Sequence, residues 1–254
     1  MHELHLPERL QKPRPTGWTV LIDSGVPLRY FEDAIASAAN YIDLVKFGWG
    51  TSLISPTMDA KIEVLRSHDI EFYFGGTLFE KFYIQDKVEY YHNYCKQYGC
   101  RYVEISNGTV PMSNRQKAEF IQYFASEFQV LSEVGYKDAD QSNQLSPNEW
   151  LDFIQEDLAA GAFKVITEAR ESGTSGICQG DGRPRTGVVE GFQSSQVDLT
   201  RLIFEAPTKL LQTYFIERFG PNVNLANVPI NDVISLETLR LGLRSDTFLQ
   251  FEAH

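Results

Sequence analysis

A chain of 254 residues that is 43% hydrophobic and 13% aromatic has ample material for a packed core, which excludes a disordered polypeptide. Its formal net charge of −11 and pI near 4.9 argue against nucleic acid and anionic membranes as partners. If the substrate is an anion, the field of the whole molecule opposes it, so attraction must come from local cations or a metal.

In chain order, the first fifteen residues mix charges with Pro7, Pro13 and Pro15 and lack an apolar signal core. They read as an extended arm, residues 1–15, ahead of a single domain over 16–254. Thr19–Asp23 reads as a first strand, followed by a helix over Leu28–Asn40 with Pro27 at its start. Tyr41–Phe47 is the second strand, with a helix from Ser55-Pro56 to His68. Ile70–Phe74 is the third, with one long helix from Leu78 to Tyr98 ended by Gly99. Tyr102–Ser106 is the fourth, with a helix capped by Ser113 and running to Phe128. Val130–Val134 is the fifth; the polar stretch Gly135–Ser146 follows, and Ser146-Pro147 opens a helix ended by Gly161. Phe163–Ala169 is the sixth, with a glycine-rich loop over Glu171–Gly187 and a short helix over Val188–Val197. Leu202–Glu205 and a helix over Thr208–Phe219 come next. Val223–Val228 and a helix over Asp232–Gly242 complete eight strand–helix alternations. That pattern predicts a single-domain α/β fold, a closed (β/α)8 barrel of the TIM type. A doubly wound open sheet is the alternative, but LIDSGVP after strand one lacks the glycines of a dinucleotide site.

The strands end on polar residues: Asp23, Lys46, Glu104, Glu133, Glu168, Glu205 and Asn227. In a barrel these would meet at one mouth, where four carboxylates repel unless lysines or a divalent cation neutralise them. An all-oxygen donor set favours Mg²⁺ over zinc. None of the five histidines falls at a strand end, which disfavours a histidine-based triad or histidine-ligated zinc. Lys46 reads either as the structural partner of Asp23 or Glu104 or as a cation for an anionic substrate. The run Arg170–Gly176 suits an anion nest, and Lys209 in the first turn of a helix is easiest to explain if an anion sits beside it. A catalytic lysine forming a Schiff base, at Lys46 or Lys164, would make the chain an aldolase acting on a phosphorylated substrate. A non-catalytic barrel binding a phosphorylated metabolite is the third reading. The cysteines, Cys95, Cys100 and Cys178, are odd in number and form no CxxC, which suits a reduced, cytoplasmic protein. No apolar run is long enough for a membrane span.

DLVKFGWGTS (Asp43–Ser52), GGTLFE (Gly75–Glu80), VEIS (Val103–Ser106), LSEVG with Lys137 just beyond it, and ARESG (Ala169–Gly173) resemble the phosphosulfolactate synthase family. So do IFEAP with Lys209, VNLANV (Val223–Val228) and SLETLRLGLRSDTF (Ser235–Phe248). The resemblance runs from about Thr16 to Phe248 and is weakest over Cys178–Gln196. It implies a (β/α)8 barrel that uses Mg²⁺ to add sulfite to phosphoenolpyruvate, giving (2R)-O-phospho-3-sulfolactate. In methanogens that product feeds coenzyme M synthesis; in spore-forming bacteria relatives are linked to sulfolactate accumulation. The resemblance further implies Lys137 as the acid that protonates C2 and the glutamates as holders of the metal. Lys46 would bind sulfite or the substrate carboxylate, and Arg170, Ser172, Gly173 and Lys209 the phosphate. After Gly135 this chain reads YKDADQ, where relatives often carry two adjacent lysines. A homo-oligomer is left open.

Overall fold

The computed structural model of the protein describes residues 4–251. Eight parallel strands are joined by helices: β1 Thr19–Asp23, α1 Leu28–Ala38, β2 Leu44–Phe47, α2 Thr51–Ile54, α3 Met58–Ser67, β3 Glu71–Phe74, α4 Gly76–Tyr83, α5 Val88–Gln97 and β4 Tyr102–Ile105. The second half runs α6 Asn114–Phe124, β5 Gln129–Val134, α7 Ala139–Gln144, α8 Pro147–Ala159, β6 Lys164–Thr167, α9 Thr186–Ser194, β7 Leu202–Glu205, α10 Lys209–Phe219, β8 Leu225–Pro229 and α11 Val233–Arg240. Strand order is β3-β2-β1-β8-β7-β6-β5-β4. β3 and β4 lie side by side and bring the ring together, but among the described residues no hydrogen-bonded ladder joins them. The fold is therefore the expected (β/α)8 barrel, with one seam between β3 and β4.

Alternation along the strands builds two cores. Val20, Leu44, Tyr73, Leu131, Ile166, Ile203 and Ala226 fill the barrel, above a floor of Trp18, Tyr102 and Phe163. Their neighbours Val45, Phe72, Val103, Val130, Val165 and Phe204 face the helix layer. Ser113 and Ser146 each cap a helix through a full capping box, with Gln116 and Glu149 as reciprocal partners. Residues 8–16 lie across the end of the barrel where the strands begin. Arg14 makes a charge pair with Asp43 at 2.7 Å, Arg9 pairs with Glu237 at 2.8 Å, and the Trp18 indole donates to the Arg14 carbonyl.

Several expected boundaries shift. The stretch read as one helix over Leu78–Tyr98 is two, α4 and α5, broken at Asp86, which takes a left-handed φ of 55°. α7 occupies part of the segment read as polar loop, capped by Asp138, which accepts from the Gln141 amide. Strand eight begins two residues later than read and carries an irregularity: Thr19 aligns with Leu225 but Leu21 with Val228. Asn227 sits in that irregularity with φ 53°.

Candidate active site

On five strands the polar side chain comes two residues after an inward hydrophobic one, and so points the same way. Lys46 follows Leu44, Glu104 follows Tyr102, Glu133 follows Leu131, Glu168 follows Ile166 and Glu205 follows Ile203. All five are buried at the mouth. The Lys46 ammonium lies 3.0 Å from Glu104 Oε2, 3.4 Å from Glu205 Oε1 and 3.5 Å from Glu133 Oε2. Lys137, three residues past the end of β5, reaches back to Glu133 Oε1 at 3.0 Å and Glu168 Oε2 at 3.3 Å. Two ammonium groups thus interleave four carboxylates.

The carboxylates share a pattern. Glu104 Oε1 accepts from the Gly76 amide, Glu168 Oε1 from the Arg170 amide and Glu133 Oε1 from Lys137. The second oxygen of each of these three is buried without an aligned hydrogen bond among the described residues. Glu205 differs: Oε2 accepts from the Ala169 amide at 2.8 Å and Oε1 from Lys46, so both oxygens are engaged.

Burial and mutual repulsion move the charges apart. Burial lifts the Glu104 carboxyl to about 7 even though Lys46 opposes it. Burial and then the neighbouring Glu133 push Glu168 well above the usual carboxylate range. Burial acts on Glu133 too, but Lys137 and Lys46 together outweigh it and hold this carboxyl down to about 2. Both lysines remain firmly ammonium: burial works against their charge, and the glutamates overcome it.

Oxygen-only donors and three carboxylate oxygens lacking aligned partners suit a hard divalent cation in their chemistry. Among the described residues no three His, Cys, Asp or Glu side chains already converge as a metal cage, because the glutamates are turned onto the two lysines. A cavity of about 380 Å³ adjoins Lys137 and is lined by Asn107, Gly108, Thr109, Tyr136 and Gln141.

The other sequence-predicted positions are placed as follows. Asp23 does not share the mouth: β1 sends Val20 into the barrel, and Asp23, three residues on, falls on the opposite face. There it pairs with the buried Lys61 of α3 and accepts from the Gly25 and Val26 amides, so it fixes the β1–α1 turn. Lys209 has its anion already, Asp246 at 2.8 Å on the surface. Arg170 is exposed, with φ 57°, and its guanidinium donates weakly to the Lys137 carbonyl at 3.4 Å. The Ser172 hydroxyl bonds that of Thr174, and Gly173 is buried against the start of α10, where an added Cβ would lie 3.1 Å from Leu211. Asn227 keeps a buried side-chain oxygen without a partner among the described residues. Lys164 is at the wrong end: as the first residue of β6 it sits over the Trp18 ring and donates to the Pro15 and Thr200 carbonyls.

A family model described as (2R)-phospho-3-sulfolactate synthase (ComA) matches residues 7–246. The chain belongs to the phosphosulfolactate synthase family. The phosphosulfolactate synthase of Bacillus subtilis (strain 168) is 60% identical over 245 residues, covering 96% of this chain and 97% of that protein. The one from Methanothermobacter thermautotrophicus is 41% identical, covering 95% of each. Among solved structures, a 3-hexulose-6-phosphate synthase superposes with a TM-score of 0.55 at 14% identity, over 87% of this chain and 97% of that one, which speaks for the fold alone.

Sequence reasoning within this synthase family missed three residues that shape the site. Tyr73 places in the barrel a buried hydroxyl without a partner among the described residues, close enough to Lys46 and Glu104 for their charges to act on it. Lys117 of α6 donates to the Glu133 carbonyl at 2.9 Å from behind the strand and pairs with Asp157 at 2.7 Å. Glu80 of α4 is buried against the loop after β4. Tyr73 had a sequence signal as the middle residue of a three-residue alternation in β3, and Glu80 closes the GGTLFE string; Lys117 had none.

Proposed function

We propose that the chain adds sulfite to phosphoenolpyruvate to give (2R)-O-phospho-3-sulfolactate. The observation that carries this reading is the pair Lys46 and Lys137, both ammonium and set among carboxylates at the mouth of a barrel in this family, Lys46 buried and Lys137 partly exposed. Sulfite forms a bond from sulfur to C3, and the C2–C3 π pair moves onto C2 and the adjoining carboxylate. A proton then passes from the Lys137 ammonium to C2, and the phosphate ester stays intact. Lys46 balances the charge that builds on the carboxylate. Glu104, Glu133 and Glu168 would hold Mg²⁺ through their unaligned oxygens, and when bound it would supply Lewis-acid stabilisation of that same charge. Glu205, with both oxygens engaged, buttresses Lys46 and the Ala169 turn. Gly173 packs against the start of α10, so the segment carrying Arg170, Ser172 and Gly173 would join Lys209 in holding the phosphate, with Lys209 exchanging Asp246 for it. The free, buried cysteines suit a reducing cytoplasm.

The aldolase reading has less support. Lys164 is at the floor of the barrel, and Lys46 is held as an ammonium, which is not nucleophilic. Purified protein incubated with phosphoenolpyruvate, sulfite and Mg²⁺ should yield one product containing both phosphorus and sulfur, seen by ³¹P NMR and mass spectrometry. Omission of sulfite or addition of EDTA should abolish it. No product from the full mixture would sink the reading, and undiminished turnover in EDTA would remove the metal from it.

A further inference from the structure

The seam between β3 and β4 has no ladder, yet it separates two halves of the site: Lys46 on one side, Glu104 and Glu133 on the other. Something else must fix the relative position of the edges. Beside the Glu71–Arg101 and Lys46–Glu104 ion pairs, hydrogen bonds from α4 cross it. At the start of α4 the Gly76 amide donates to Glu104 Oε1. One turn on, Glu80 Oε1 accepts from the Ser106 hydroxyl at 2.8 Å and from the Thr109 amide at 3.3 Å. The packing leaves no slack, since a Cβ on Gly76 would lie 2.8 Å from Glu104 Oε1.

The loop that Glu80 holds leads on to Lys137. Gly108 lies between Ser106 and Thr109 and its carbonyl accepts from the Lys137 amide at 3.2 Å. An added Cβ on Gly108 would stand 3.0 Å from the Gly135 carbonyl, so this loop packs directly on the one after β5. From the other side, Ser175 donates to the Lys137 carbonyl at 3.2 Å. The backbone of Lys137 is therefore clamped between the loop after β4 and the loop after β6, and Glu80 anchors the first of these across the seam.

We propose that Glu80 is a positioning residue: it braces the open seam of the barrel and, through Ser106, Thr109 and Gly108, sets the Lys137 ammonium where its proton is delivered. This rests on Lys137 as the proton donor. The brace uses one oxygen; Glu80 Oε2 is buried and has no partner among the described residues. A glutamine can keep an acceptor at the position of Oε1, whereas alanine cannot.

The test compares Glu80→Gln and Glu80→Ala in the full chain, by steady-state turnover of phosphoenolpyruvate and sulfite and by amide hydrogen exchange. Glu80→Ala should lower kcat about 100-fold, the scale of a misplaced catalytic group, with KM within about threefold of the parent. Glu80→Gln should stay within about threefold of the parent in both. Exchange in Glu80→Ala should quicken over residues 107–110 and 136–138 and stay unchanged elsewhere. An unaltered kcat in Glu80→Ala overturns the proposal, as does a loss in Glu80→Gln equal to that of alanine, which would make the charge the active element. Local exchange that stays at the parent's rate, or that quickens throughout the chain, overturns it as well. If local exchange quickens but kcat does not fall, the brace exists and Lys137 is not the proton donor. Ser106→Ala removes one of the two bonds and, should Glu80→Ala fail to fold, must show the same kcat-selective loss in smaller degree.

Discussion

Lys137 combines features that a proton donor to carbon needs: a partly exposed place at the mouth, a fixed ammonium and a backbone clamped on two sides. Replacing it with alanine leaves Glu133 and Glu168 facing each other without the cation between them. Lys137→Ala should lower kcat about 10²–10⁴-fold, the usual range for loss of a general acid, with KM changed only a few-fold. Steady-state kinetics decide this, and a kcat equal to the parent's would dismiss the residue as the acid. At this scale the sequence was readable wherever parity could be counted. Lys46, Glu104, Glu133, Glu168 and Glu205 each come two residues after an inward hydrophobic, which sends them into one mouth. Asp23 fails the count by a single residue, and a shift of one turns a strand side chain to the opposite face. Lys61, Lys117 and Glu80 lie on helices, where nothing local says that a charged residue will be buried against a strand or its loop; only the tertiary partner does.

The elements that carry the site are joined by the segment from Arg170 to Arg185, which follows β6. It turns back so that the Ile177 amide donates to the Glu168 carbonyl, and Arg185 holds it to α7 through the Ser142 and Leu145 carbonyls. Gly176 is the tight point of this return. Its φ is +63°, and a Cβ there would overlap the Glu168 carbonyl oxygen. Gly176→Ala should displace the segment, with a stability loss of at least about 2 kcal/mol from the left-handed backbone and the overlap combined. It should also cost activity, because Glu168 and the Ser175 contact to Lys137 move with it. Urea denaturation and turnover together measure this; parent-like values in both would show that the return is not needed. The glycine-rich character of this loop was evident in the sequence, and so were the capped helices α6 and α8. The break between α4 and α5 was not, since the chain there reads IQDKV with neither glycine nor proline and Asp86 takes the left-handed turn. α7 was hidden for the opposite reason: an alanine and five polar residues are held in place by Asp138 and by the segment after β6.

At the scale of the whole molecule the two ends of the barrel handle buried lysines differently. At the mouth, Lys46 and Lys137 are surrounded by carboxylates and stay charged. At the floor, Lys164 meets the Pro15 and Thr200 carbonyls and the Trp18 and Phe163 rings. Burial, aided by Arg201, lowers its ammonium to about 8. The linkage sign follows from proton counts. Between pH 8 and the unfolded value near 10.5 the folded chain has lost this proton while the unfolded chain retains it. Unfolding then takes up a proton, so this group makes the fold more stable as pH rises through that window. Below pH 8 both states are protonated and the contribution is flat, with the folded state bearing the cost of the buried charge. Lys164→Met keeps an aliphatic stem beside Trp18 and removes the titration. The unfolding free energy of the parent minus that of Lys164→Met, measured by urea denaturation at several pH values, should be constant from pH 6 to about 8 and then rise toward pH 10.5. A difference that stays flat or falls across that window would mean the floor holds Lys164 as a charged group, with the carbonyls and rings outweighing its burial.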